Sequence, residues 1–465
     1  MKSSFCIRAL LLLVVIGILT GSCNKQDFLN KPPSTNLIVP SSLNDFQNLL
    51  DNDQVMGQVP ALGEISADNY YLAYGFWQSL GKRVHNAYIW APDIFGGEGN
   101  VEDWNYSYQQ VYYANVVLDG MANQNAGTGS MADWNNVLGQ ALFTRAFAFY
   151  NIAQVFAPAY DNVTAASDTG ILLRLHQDVV APSIISTVKQ TYNQITGDLR
   201  KASGLLPPTV SMTYLNRASR PAAQALLARV YLSMRKYDSA KLYTDSALLS
   251  NPTLIDYNSL KLTAPIPIAK QNAEILYQAN FVNYADKQIL TGYSFPDCFI
   301  DTTLLHSYDI NDLRLSIYYY PIGADSFNLK GSYAGSVLPF GGLAVDELYL
   351  TRAECKIRSG DVNGGIQDVN VLLRKRWKTG TFTDYSPPTS QAVALDTVLL
   401  ERRKELAFRG LRWTDLRRLN KEGANIIPSR RINGTVYTLA PNSNLYTLPI
   451  PPDVQQLSGI HQKPR

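Results

Sequence analysis

The residues most capable of chemistry are thinly spread along this 465-residue chain. Its four histidines, His85, His176, His306 and His461, stand far apart, and none sits in an HExxH or other metal-ligand spacing. No GxSxG elbow occurs, and the glycine-rich FGGEGN at 95–100 lacks the Lys-Ser/Thr ending of a phosphate loop. Acid pairs such as Glu98 and Glu102 are what any chain of this size carries. A glycosidase's two carboxyls meet in space rather than in sequence, so the pair itself assigns no hydrolysis. Of the cysteines at 6, 23, 298 and 355, only the last two lie well inside the chain, too few for a disulfide framework and without zinc spacing. These residues point to a protein that is not an enzyme and carries no cofactor or metal.

Binding chemistry is better represented. Tyrosine outnumbers phenylalanine, 28 to 16, and its apolar face and polar tip suit amphipathic ligands. A sugar ring needs a flat aromatic face for its C–H groups, with amides and carboxylates beside it for its hydroxyls. Two irregular, aromatic-rich segments offer this. In the first, 56–103, the candidates are Tyr74, Trp77 and Trp90, with Asn69 and Asp93 as hydrogen-bonding neighbours; in the second, 251–343, they are Tyr284 and Tyr293. Long irregular insertions of this kind are commonly functional.

The densest charge is ERRKELAFRGLRWTDLRR, residues 401–418, with seven basic side chains against Glu401, Glu405 and Asp415. Such a stretch invites an anionic partner. The whole chain does not: it carries 41 basic and 38 acidic residues, and 39 basic once the leader's Lys2 and Arg8 are removed. A nucleic-acid binder needs a clear basic excess for its phosphate contacts, so that class is excluded. The stretch reads instead as a helix locking the structure together. Leu406, Phe408, Trp413 and Leu416 supply apolar contacts, Gly410 interrupts it, and Arg402, Arg409 and Arg412 stand ready to pair with Glu401 and Glu405 on neighbouring faces.

The elements that must position these residues are mostly helices. The segment RPAAQALLARVYLSMRKYDSAKLYTDSALLSNP (220–252) places apolar side chains at helical spacing, with small Ala222, Ala225 and Ala228 for close helix approach and a polar break at Arg235-Lys236. It resembles a tetratricopeptide hairpin. A second hairpin covers 346–377, broken by Ser359-Gly360-Asp361; a third joins 104–121 to 133–156, and one more helix covers 187–204. One such unit cannot bury both its faces, so several must stack into a continuous core. Asn433-Gly434 between β-prone residues marks a small type I′ hairpin near the C-terminus.

The N-terminus supplies an address. Lys2 and Arg8 precede an apolar run, Ala9 to Leu19, too short to remain as a membrane span of roughly 20 residues. Thr20, Gly21 and Ser22 lead into Cys23, which resembles the lipobox of bacterial lipoproteins. The expected organisation is a signal peptide over 1–22, a lipidated start and tether over 23–40, and one body over 41–465. Within the body, 41–250 and 344–465 are helical and 251–343 is the irregular insertion. Acyl chains on Cys23 contribute about 0.8 kcal/mol per buried CH₂, which makes them the only membrane attachment needed.

Taken in order, the leader with DFLNKPPS, then YLTRAECKIRSGD, ERRKELAFRGLRWTDLRR and the closing LYTLPIPPDV resemble the SusD/RagB-like outer-membrane lipoproteins, over essentially the whole chain. The charged helix is the most specific element; it departs from the common pattern at Arg409, where Glu is frequent, and at Leu411, where His is frequent. The resemblance implies four tetratricopeptide-like units with irregular loops forming the ligand face. It also implies a lipid anchor to the outer membrane, facing the cell exterior, and a SusC-like TonB-dependent transporter as partner. It implies capture of glycans, or in some members peptides, for uptake without catalysis. A pure protein-interaction scaffold of helical repeats is the other class the helices allow.

Overall fold

Helices begin where a short polar side chain can take up orphan backbone donors. The computed structural model describes residues 40–124, 130–282, 297–331, 333 and 335–460; Cys23, Tyr284 and Tyr293 lie outside them. In chain order the helices that matter here are α1 (Leu43–Leu50), α2 (Leu62–Ser66), α3 (Tyr74–Gln78), α4 (Lys82–Tyr88), α5 (Glu102–Ala122), α6 (Met131–Phe156), α7 (Val188–Leu205), α8 (Arg220–Ser233), α9 (Tyr237–Ser250), α10 (Val345–Arg358), α11 (Val362–Leu373), α12 (Gln391–Glu405) and α13 (Arg412–Asn420). Thr187 and Gln190 form a reciprocal capping box ahead of α7; Ser219 caps α8, with Pro221 in its first turn. Asp361 accepts a hydrogen bond from Gly364 N at 2.8 Å to open α11, and Gly360, at φ +93°, closes the turn out of α10.

The long helices pack on their neighbours in sequence: α5 on α6, α6 on α7, α7 on α8, α8 on α9, α9 on α10, and α10 on both α11 and α12. This is the stacked-hairpin arrangement of tetratricopeptide-like proteins, and the chain is mainly α. Ala222, Ala225 and Ala228 of α8 are all buried, which permits the close approach. At the centre, Phe143 and Phe147 of α6 meet Tyr277 edge-on, at 4.7 and 5.2 Å between ring centroids. Each such fully buried large side chain contributes about 1.5–3 kcal/mol. A separate apolar cluster, including Leu350, Ile366 and Val398, ties α10, α11 and α12 together.

Strands among the described residues are short and paired in twos. They are β1 (Gln58–Val59) with β6 (Asn280–Phe281), β2 (Tyr70–Leu72) with β7 (Cys298–Ile300), β3 (Thr169–Leu172) with β4 (Ile185–Thr187), β5 (Ile275–Tyr277) with β10 (Leu343–Ala344), β8 (Tyr319–Pro321) with β9 (Phe327–Leu329), and β11 (Ser429–Ile432) with β12 (Thr435–Thr438). Three of these, β1–β6, β2–β7 and β5–β10, join strands far apart in sequence, which periodicity along one segment cannot foresee. The β11–β12 turn has φ +44° at Asn433 and +81° at Gly434, the type I′ geometry its sequence called for.

The charged stretch is interior. α12 ends at Glu405; Phe408 at φ +59° and Gly410 at +75° turn the chain, and α13 follows. The spacing predicts Arg402, Arg409 and Arg412 as partners of Glu401 and Glu405. Instead Glu401 accepts from Arg314 (2.6 Å) and from Lys404 within the stretch (2.9 Å), and Glu405 from Arg376 (2.7 Å) and Arg314 (3.1 Å). Arg402 pairs with Asp415, Arg409 with Asp346 and Arg412 with Asp68. Burial forces this outcome: a desolvated charge must find a partner wherever the fold supplies one, and most of these come from other elements.

Candidate functional site

Nearly all charges of the stretch 401–418 are spent on structure, and two of its arginines reach the first irregular segment. Arg412 holds the Asp68 carboxylate through two bonds of 2.6 and 2.8 Å. Arg403 donates to Asn69 Oδ1 (3.2 Å), to the Asp68 carbonyl (3.0 Å) and to Asp301 Oδ1 (3.1 Å). Burial alone would raise the pKa of Asp68; Arg412, aided by Arg403, overrides it and holds the carboxyl well below the ordinary range. Asp68-Asn69 precede β2 and Asp301 follows β7, so one arginine clamps the entrance of one strand and the exit of its partner.

From that clamped end β2 and β7 run antiparallel, with Tyr71 directly opposite Phe299. Tyr70 and Leu72 point inward, and Tyr71 points out, 37% exposed. Its ring stacks on Phe299 at 5.1 Å with 25° between planes. The chain continues into α3, where Tyr74, 41% exposed, stacks on Trp77 at 6.2 Å, and Trp77 lies on the His85 ring at 3.8 Å. Gln78 donates to the Tyr74 hydroxyl at 2.7 Å, which fixes the outer ring. The ribbon β8–β9 packs beside β7. The result is an exposed aromatic shelf edged by amide, imidazole and hydroxyl groups.

The candidates named from sequence are not equivalent. Tyr74 is on the shelf. Trp77 forms its floor, with 8% exposure and Nε1 donating to the His85 carbonyl at 3.1 Å. Trp90 is interior: its backbone is left-handed at φ +55°, its Nε1 donates to the Ser66 carbonyl at 2.9 Å, and the Arg430 guanidinium lies over it at 5.2 Å. Asn69 is also interior, held between Glu64 and Arg403. Both fasten the insertion rather than face solvent, because a loop of this length must bury part of itself. Asp93 is exposed and accepts from Gly96 N at 2.8 Å. Tyr284 and Tyr293 lie outside the described residues.

Sequence reasoning missed Tyr71 and Phe299. In NYYLAYGFW two tyrosines are adjacent, so the alternation of a strand could not say which one points outward. Phe299 becomes relevant only through its cross-strand register. Among the described residues no cluster of His, Cys, Asp or Glu is arranged to hold a metal, and no helix is long and apolar enough to cross a membrane.

Helical stack and long aromatic-rich insertions together define a class, the tetratricopeptide-like helical proteins with irregular insertions. Residues 27–232 match a family described as starch-binding and associating with the outer membrane, and residues 346–459 match the SusD family. The chain belongs to the SusD/RagB-like family. Solved structures share its fold. A SusD superfamily protein from Bacteroides thetaiotaomicron is 20% identical with a TM-score of 0.71, over 91% of this chain and 100% of that one. A SusD superfamily protein from Bacteroides vulgatus is 18% identical, also at 0.71, over 91% and 99%. A SusD-like carbohydrate-binding protein from Bacteroides vulgatus is 20% identical at 0.68, over 90% and 96%. No curated protein matches the chain.

Proposed function

We propose that this protein is a surface-exposed outer-membrane lipoprotein that captures an oligo- or polysaccharide and delivers it to a SusC-like TonB-dependent transporter. The observation that carries the glycan reading is the exposed, pre-stacked pair of shelves, Tyr71 on Phe299 and Tyr74 on Trp77. Rings already ordered by stacking lose little freedom when a sugar lies on them, and hydroxyls find Gln78 and the tyrosine tips nearby. The family match described as starch-binding supports the same ligand class, and its association with the outer membrane supports lipid anchoring through Cys23. The transporter partner rests on the family alone. The shelf takes part in ligand capture, not in catalysis.

The test is a binding screen of the mature protein against parallel panels of polysaccharides and peptides. Saturable binding to one polysaccharide class is expected. Binding to peptides alone would move the protein to the peptide-capturing members of the family, and binding to neither would leave a protein-interaction scaffold.

A further inference from the structure

Behind α2 lies a chamber of about 40 Å³ with a wall of mixed polar and apolar groups. Gly63 and Glu64 of α2, Asn151 of α6, Arg229 of α8, Arg409 and Trp413 form much of its wall. Three polar groups in that wall, Trp413 Nε1, Asn151 Nδ2 and the Tyr150 hydroxyl, meet no protein hydrogen-bond partner. Trp413 is 2% exposed, so bulk solvent does not serve it. The indole edge that carries Nε1 faces α2, since the adjacent carbon Cδ1 would lie 3.3 Å from a Cβ on Gly63. Across the chamber, Glu64 is 1% exposed and accepts from Gly410 N at 2.9 Å and from Asn69 at 3.5 Å. A carboxyl group offers about four lone-pair sites, so acceptor capacity remains.

We infer that this chamber is a built hydration site, in which about two or three ordered waters link Trp413 Nε1 and the Asn151 amide to the Glu64 carboxyl. The volume fits, because a buried water needs roughly 10–15 Å³ of such space. The charges fit as well. Arg229 is neutralised by Glu347 at 2.9 and 2.6 Å, and Arg409 by Asp346 at 2.8 Å. An anion would find no uncompensated positive charge, and a cation would face two N–H donors. Water both donates and accepts, which matches a wall of donors opposite a carboxyl. The waters fill the joint between α2 and α13, and so help seat the segment that leads into β2. This site is independent of the glycan reading.

A crystal structure of the mature protein at a resolution that shows ordered water tests the inference. Density within about 3.2 Å of Trp413 Nε1 and Asn151 Nδ2, continuing to Glu64, is the expected result. A chamber without water density overturns it, and so does an anomalous peak there after a bromide soak, which would make it an anion site. Trp413→Phe keeps the ring and removes the donor. Its crystals should lose the water nearest residue 413 and keep the one at Asn151; retention of both overturns the role given to Nε1. Should that variant fail to fold, the wild-type density decides alone.

Discussion

Arg314→Met removes the cation at the middle of the buried charge network while keeping much of the side-chain volume. The Arg314 guanidinium, fully buried, makes four hydrogen bonds to three carboxylates: 2.9 and 2.6 Å to Asp312, 2.6 Å to Glu401 and 3.1 Å to Glu405. In the variant, Lys404 still reaches Asp312 (3.1 Å) and Glu401 (2.9 Å), and Arg376 still holds Glu405 (2.7 Å). Three buried carboxylates then share two nearby cations. Uncompensated buried charge of that kind costs about 3–5 kcal/mol. With a urea slope of roughly 3 kcal/mol/M or more for a body this size, the unfolding midpoint should fall by about 1 M at pH 7. The deficit should shrink toward pH 5. Burial pushes Asp312 up, but in the wild type Arg314 overrides it and holds the carboxyl below its ordinary range. That group therefore contributes stability above its unfolded value and loses it as pH falls through the folded one; without Arg314 a crowded carboxyl takes up a proton instead. Adding Glu401→Gln to Arg314→Met should recover about 1 kcal/mol or more. A loss below about 1 kcal/mol for the single variant, or a double variant no better than additive, would refute the reasoning.

Three further outcomes are expected. Arg403→Met should cost about 1–2 kcal/mol by urea unfolding and also weaken glycan binding, because it releases both strands at one end of the β2–β7 ribbon; unchanged binding would separate the clamp from the shelf. Asp103→Asn should be nearly neutral at pH 4 and stabilising above pH 7. Burial pushes Asp103 up to about 7, so the native state holds a proton that the unfolded state releases, and stability drains between roughly pH 4 and 7, by about 4 kcal/mol at most. Gly410→Ala should destabilise by more than about 1 kcal/mol, since φ is +75° and the new methyl would stand 3.0 Å from the Phe281 ring; thermal unfolding reads this directly.

The long helices and the hairpins at 220–252 and 346–377 were legible because their periodicity and caps are local. The charged stretch showed its family and its structural role, but not its partners. Asp346, Asp68 and Arg314 are far away in sequence, and Arg409 finds Asp346 only through the fold. The shelf was half legible. Tyr74 and Trp77 were named from an aromatic-rich segment, and Tyr71 and Phe299 needed the strand register. Trp90 and Asn69 carry the right chemistry for a ligand, yet the same polar and aromatic groups are what an insertion uses to bury itself, and composition cannot tell the two uses apart.

The aromatic shelf as ligand platform is tested most directly by calorimetric titration of a bound polysaccharide into wild type and the Tyr71→Ala/Tyr74→Ala double variant. Both rings are more than a third exposed, so their removal should leave thermal stability close to wild type. At about 1–2 kcal/mol per ring, affinity should fall roughly 30-fold or more. Wild-type affinity in a fully folded double variant would contradict the account.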